Sequence, residues 1–249
     1  METEPTRRFT RRVADYVRYR PGYPAEIITL LQRECGLSAD SVVADIGSGT
    51  GLLTRIFLDA GCRVFAVEPN AEMRAAADQA LSANPRYRSV DARAEATTLD
   101  GRSVDVITAG QAFHWFSPHP TRLEFRRILK PQGTVVLIWN ERTNDAGFMR
   151  DYDALVRRYA TEREPITPGQ LDDFFGAGRW QIHRLRNQQI FDLTSLQGRL
   201  NSSSYAPLPE SPEHQSMMQE LTALFDTYQR NGQIVFTYRT DVIVGSLNQ

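Results

Sequence analysis

The stretch 42-VVADIGSGTG-51 decides how the rest of the chain is read. An apolar run ends in Asp45, glycines at 47, 49 and 51 alternate with Ser48 and Thr50, and 52-LLTRIFLDAG-61 follows with helical spacing. A short apolar run bounded by glycine reads as a buried strand, and glycines placed directly after it let a ligand approach the backbone. Strand, glycine loop and helix in that order open a doubly wound sheet, whose ligands sit beyond the carboxyl ends of the strands where strand order reverses.

Working outward, strand and helix keep alternating. The segment 63-RVFAVEP-69 reads as a strand, and Asn70 is an N-cap for the helix 71-AEMRAAADQALSA-83. Strands follow at 86-RYRSVDA-92 and 104-VDVITAG-110, then the helix 121-TRLEFRRILK-130 and the strand 134-TVVLIWN-140. Upstream, 7-RRFTRRVADYVRYRPGYP-24 reads as a short helix stopped by Pro21 and Gly22, and 25-AEIITLLQRECG-36 as a second. After Asn140 the alternation breaks into the helical segments 147-GFMRDYDALVRRYA-160 and 169-GQLDDFFGAG-178. It resumes with a strand at 182–192, helices at 193–200 and 211–230, and a last strand at 233–246. The expected fold is α/β: a doubly wound, mostly parallel, seven-stranded Rossmann-like sheet with helices on both faces, plus a helical cap. Its expected parts are lid helices at 1–36, a binding core at 37–140, a cap at 141–180, and strands and helices completing the sheet at 181–249.

Composition narrows the class. The chain has 249 residues, 41% hydrophobic and 24% charged, with a formal charge of -1. Such a balance gives no global field toward nucleic acid or an anionic membrane. Two cysteines, Cys35 and Cys62, read as reduced thiols. The opening METEPTRRFTRR has no apolar signal core, and no run approaches the roughly 18 apolar residues that span a bilayer. A cytoplasmic protein, monomer or homodimer, acting on a small molecule is the expectation.

Two ligands suit a glycine loop of this kind. The pyrophosphate fingerprint G-x-G-x-x-G does not match glycines at 47, 49 and 51 followed by Leu52. Asp45 would also point a carboxylate at a dianionic pyrophosphate, whereas a cationic ligand would be attracted. With Glu68 at the end of the next strand, 17 residues beyond Gly51, VVADIGSGTG resembles motif I of the class I S-adenosylmethionine-dependent methyltransferases. The segments GQAFHWF (110–116), LEFRRILKPQGTVVLIWN (123–140) and FTYRTDVIVGS (236–246) are similar to the trans-aconitate methyltransferase-like, or type 11, group. The likeness runs from about Phe9 to Asn140 and resumes in the last two strands.

The resemblance implies a set of roles. Asp45 attracts the cofactor's ammonium, directly or through water; Gly47, Ser48, Gly49 and Gly51 cradle its methionyl part; Glu68, with Pro69 beside it, takes the ribose hydroxyls. Met73 packs on adenine or belongs to the helix core. The Ala94 backbone N–H meets adenine, and because Arg93 stands where the group often has Asp, Glu95 is the alternative carboxylate. Tyr16 and Arg20, about one helical turn apart, close over the methionine end. Gln111 contacts the cofactor. His114 is either the general base or a histidine that holds neighbouring loops. Tyr23, Trp115 and Arg142 face the substrate. No metal is assigned. The implied reaction transfers the methyl to a carboxylate or hydroxyl oxygen, with a nitrogen or carbon acceptor, or binding without transfer, as the alternatives.

Overall fold

The computed structural model describes residues 18–159, 166–203, 206–207, 209 and 211–247. The seven strands β1 (Val42–Ile46), β2 (Arg63–Val67), β3 (Tyr87–Val90), β4 (Val104–Gly110), β5 (Leu129–Arg142), β6 (Trp180–Phe191) and β7 (Ile234–Gly245) form one sheet in the order β3-β2-β1-β4-β5-β7-β6. β1 pairs in parallel with β2 and with β4, and β4 with β5. β7 runs the other way. Thr143 pairs with Thr237 through a backbone bond of 3.2 Å, and Asn140 with Thr240 through side chains at 2.6 Å, so one strand ascends as its neighbour descends. The strand order reverses between β1 and β4, which places the glycine loop at the crevice.

Local sequence explains the elements. Helix α1 (Glu26–Cys35) turns Ile27, Leu30 and Leu31 inward and stops at Gly36, whose φ of 67° a side chain would resist. Helix α2 (Leu52–Asp59) follows Gly51 directly. Helix α3 (Ala71–Leu81) starts at Asn70, whose Oδ1 accepts the Met73 N–H at 2.9 Å, the cap its sequence predicts. Helix α4 (Pro118–Ile128) feeds straight into β5. Along β1, Ala44 and Ile46 enter one buried apolar cluster and Val43 another, so the two-residue period supplies both faces of the sheet.

The chain divides into two compact units. The sheet unit takes residues 22–140, 166–185 and the segment from 240 onward; the second takes the described residues of 1–21, 141–165 and 186–239. Helix α6 (Pro168–Phe175), grouped with the cap by sequence, packs in the sheet unit: Phe174 meets Phe113 at 4.6 Å between ring centres, and Phe175 is fully buried. Three apolar residues in its eight are enough to hold it there by burial. The second unit has its own core. Helices α5 (Gly147–Tyr159), α7 (Leu193–Asn201) and α8 (Pro212–Tyr228) close over Tyr152, Met217, Leu221 and Phe236.

Candidate active site

The glycine loop is held from below and open on one side. Gly47 and Ser48 donate their N–H groups to the Val67 carbonyl at 2.8 and 3.2 Å, tying the end of β1 to the end of β2. Gly47 (φ 68°), Gly49 (φ 55°) and Gly51 (φ 83°) all take the left-handed conformation. A Cβ at Gly47 would lie 2.6 Å from that of Ala112, and one at Gly51 2.5 Å from Leu81 Cδ1. At Gly49 a Cβ would meet nothing within 4 Å. Packing therefore requires the outer two glycines, while Gly49 presents bare backbone to open space.

Two buried carboxylates lie under this loop. Asp45 has no exposed surface; its oxygens accept from Thr54 Oγ1 at 2.6 Å and Thr108 Oγ1 at 3.1 Å. Burial pushes its pKa up to about 6 against the pull of those hydroxyls, with the charge of Glu68 adding to the rise. Glu68 is nine-tenths buried and accepts from the Gly49 N–H through Oε2 and the Asn70 N–H through Oε1, each at 2.9 Å. Burial raises its pKa too, opposed by the two N–H donors and by Arg74. Arg74 spends its guanidinium on the Glu68 backbone carbonyl and on Asp91. Each carboxylate oxygen of Glu68 retains a second lone pair, enough for a vicinal diol. Sequence reading missed Thr54 and Thr108, because an interior threonine on a helix or strand carries no signature of its partner.

Glu68 thus supports the loop as well as any ligand. Glu68→Ala is expected to weaken S-adenosylhomocysteine binding by about 1–3 kcal/mol and to lower thermal stability, because two N–H groups lose their acceptor. Calorimetric titration checks this, and unchanged affinity would remove Glu68 from the site.

The loop after β4 closes the crevice. Gln111 adopts φ 58°, rare outside glycine; its N–H donates to Ile138 O at 2.9 Å and its Nε2 to Asn140 O at 3.1 Å. Asn140, which sequence reading passed over, donates Nδ2 to Gly22 O at 3.2 Å and accepts Thr240 Oγ1. Phe113 is buried against Phe174 and Trp139, which anchors the short turn Phe113–Trp115. His114 and Trp115 on that turn are half-buried, their rings 5.0 Å apart. Tyr23 sets its hydroxyl against Gly110, where a Cβ would lie 2.4 Å away.

The loop after β3 is pinned to α4. Ala94 is buried, and Glu95 accepts the Ser117 N–H at 2.9 Å while Arg93 lies 3.5 Å from its other oxygen. Burial raises the Glu95 pKa, but the Ser117 N–H and Arg93 outweigh it and hold the carboxyl below its ordinary range. Met73 is buried and Pro69 exposed. In the second unit, Arg20 donates Nη2 to Ser202 O at 2.9 Å, and Arg142 donates Nη2 to Asp153 at 3.3 Å. Tyr16 lies outside the described residues.

Comparison with known proteins agrees with this fold. Residues 44–137 match the methyltransferase domain family. An uncharacterised methyltransferase of Schizosaccharomyces pombe is 28% identical over 243 residues, 94% of each chain. An uncharacterised methyltransferase of Mycobacterium bovis is 36% identical over 146 residues, 59% of this chain and 57% of its own. A solved structure assigned to the type II methyltransferases of Anaeromyxobacter dehalogenans shares the fold with a TM-score of 0.74 at 23% identity, covering 92% of this chain and 99% of its own. The domain match over residues 44–137 and these relatives support a class I S-adenosylmethionine-dependent methyltransferase.

Proposed function

We propose that the protein binds S-adenosylmethionine at the crevice and transfers its methyl to an oxygen, carboxylate or hydroxyl, of a small molecule. The observation that carries the cofactor is the pair of buried acids. Burial raises the cost of ionising both Asp45 and Glu68, the charge of Glu68 adds to that of Asp45, and a cation beside the loop relieves it. A pyrophosphate would aggravate it. The residues fit the group: Gly49 offers open backbone, Glu68 has lone pairs for ribose hydroxyls, and Asp45 supplies the field that attracts the ammonium. When bound, S-adenosylmethionine supplies a methyl already activated by its sulfonium.

The chain's own work is positioning. Gly47, Ser48, Gly49 and Gly51 set the loop, Ala94 and Met73 border the adenine end, and Pro69 and Glu95 flank these contacts. Gln111, held by Asn140 and Ile138, fixes the backbone from which the turn carrying His114 and Trp115 departs. Tyr23 and Trp115 border the acceptor. The sequence reading assigns Tyr16 and Arg20 to the methionine end and Arg20 or Arg142 to an acceptor carboxylate.

The oxygen acceptor has support from sequence. The chain lacks an N/D-P-P-Y motif after β4, where amine-directed enzymes often carry one. A malonyl-[acyl-carrier protein] O-methyltransferase of Marinomonas is 31% identical over 134 residues, 52% of this chain and 49% of its own.

The test begins with calorimetric titration of S-adenosylhomocysteine beside NADH, followed by a labelled-methyl screen of acids, phenols, alcohols and amines. Binding of NADH alone would overturn the cofactor, and methylation confined to amines would overturn the oxygen acceptor. With a hydroxyl acceptor, His114→Ala is expected to lower kcat by about 10²-fold with unchanged S-adenosylhomocysteine affinity. Full turnover in the variant assigns His114 a structural role and favours a carboxylate, which needs no base.

A further inference from the structure

We propose that Glu124, together with Arg127, is a positioning residue for recognition of the adenine ring, acting through the 93–99 loop. The proposal rests on the cofactor reading above. Neither residue lies at the ends of the parallel strands; both are on α4. Glu124 accepts the Thr97 N–H at 2.8 Å and the Thr97 hydroxyl at 2.6 Å, and both carboxylate oxygens receive Arg127 at 2.7 Å. Arg127 Nη2 also donates to Leu99 O at 2.7 Å. The two side chains therefore grip the backbone on either side of Thr98. Thr98 stands at φ 63°, a left-handed conformation that a β-branched residue resists.

A strained residue persists where its surroundings over-determine it. Here the surroundings are an ionised carboxylate that is nine-tenths buried and a guanidinium bound to it twice. Arg127, together with the Thr97 donors, holds the Glu124 carboxyl down at about 2, so the clamp stays charged across the physiological range. Four residues before Thr98 sits Ala94, whose backbone borders the adenine end in the reading above. The Glu95 bond to Ser117 fixes the loop to the N-terminal end of α4, and the Glu124 clamp fixes it one to two turns further along. With the Ala96 N–H also donating to Arg93 O at 3.1 Å across Ala94, the backbone of 93–99 has little freedom. A hydrogen-bond contact to a base edge needs that precision, because misplaced donors lose discrimination before they lose packing.

The experiment compares S-adenosylhomocysteine with S-inosylhomocysteine by calorimetry well below the melting temperature; the inosyl base carries a 6-oxo group in place of the amine and an N1–H donor in place of the N1 acceptor, so the whole hydrogen-bonding edge is inverted. The wild type is expected to prefer the adenosyl ligand. Glu124→Gln keeps the shape but weakens the ionic grip. It should weaken the adenosyl ligand by about tenfold, the scale of one hydrogen bond, while leaving the inosyl ligand nearly unchanged. Arg127→Gln, at a half-exposed position where an amide N–H can still serve Glu124, should narrow the ratio in the same direction, and it decides the matter if Glu124→Gln does not fold. Lowered melting temperature with an unchanged adenosyl-to-inosyl ratio would overturn the proposal and leave the clamp a stabilising feature only. A wild type that binds neither ligand fails differently, by overturning the cofactor reading itself and this one with it.

Discussion

Gly47→Ala is expected to abolish measurable binding of S-adenosylhomocysteine at ligand concentrations that saturate the wild type, and to lower the melting temperature. Two effects add. An alanine at φ 68° takes on the left-handed penalty of about 1–2 kcal/mol. Its Cβ would also lie 2.6 Å from the Ala112 Cβ, a methyl with no rotamer by which to retreat, which adds overpacking of about 1–3 kcal/mol. Relief requires that the β1 loop and the β4 loop separate, and those loops form the crevice. Gly49→Ala is the control. It shares the backbone penalty but meets open space, so its stability should fall less while binding still suffers. A Gly47→Ala protein with wild-type melting temperature would show that the loops can part freely, and the account of the crevice would be wrong.

Asp45→Asn is expected to make the protein more stable near neutral pH and to weaken cofactor binding. The ordinary carboxyl value of 3.8 is raised to about 6 in the fold, so between these values the folded state holds a proton the unfolded state has lost. Stability from this group is therefore present below about pH 4 and disappears as pH rises through 6, a change of about 3 kcal/mol. An asparagine does not titrate, and it can pair with both threonines by accepting one hydroxyl and donating to the other. The stability of the variant relative to wild type should therefore increase by about 3 kcal/mol between pH 4 and pH 7.5, read from urea unfolding at each pH. Parallel curves for the two proteins would mean that Asp45 ionises in the fold as easily as in solution. A wild-type protein that keeps such a carboxylate accepts lower stability in exchange for its charge.

The alternation of strand and helix was legible because buried strands and amphipathic helices have distinct periods. Asp45 and Glu68 were legible because each ends an apolar strand, and strand ends meet at the crevice. Their immediate partners were not. Thr54 lies on the buried face of α2 and Thr108 within β4, 9 and 63 residues from Asp45, and neither position announces a carboxylate. Glu95 was read as the alternative carboxylate for adenine, with Arg93 as the departure beside it; the structure pairs the two and sets Glu95 on Ser117. The left-handed turns at Thr98 and Gln111 were invisible, since a side chain in that conformation reads like any other. Helix α6 was assigned to the cap from its place in the chain, while its phenylalanines decide its packing.

The chain passes between its two units five times, after residues 21, 140, 165, 185 and 239. Neither unit can be cut out as one continuous fragment, and a clone ending at Asn140 would leave five strands without the helix and strands that complete their sheet. During synthesis the sheet unit waits for the segment beyond Thr240, so the nascent chain carries unfinished β-strands past the ribosome exit for nearly its whole length. For protein engineers, exchanging the second unit with that of a relative means splicing at every one of those five junctions at once.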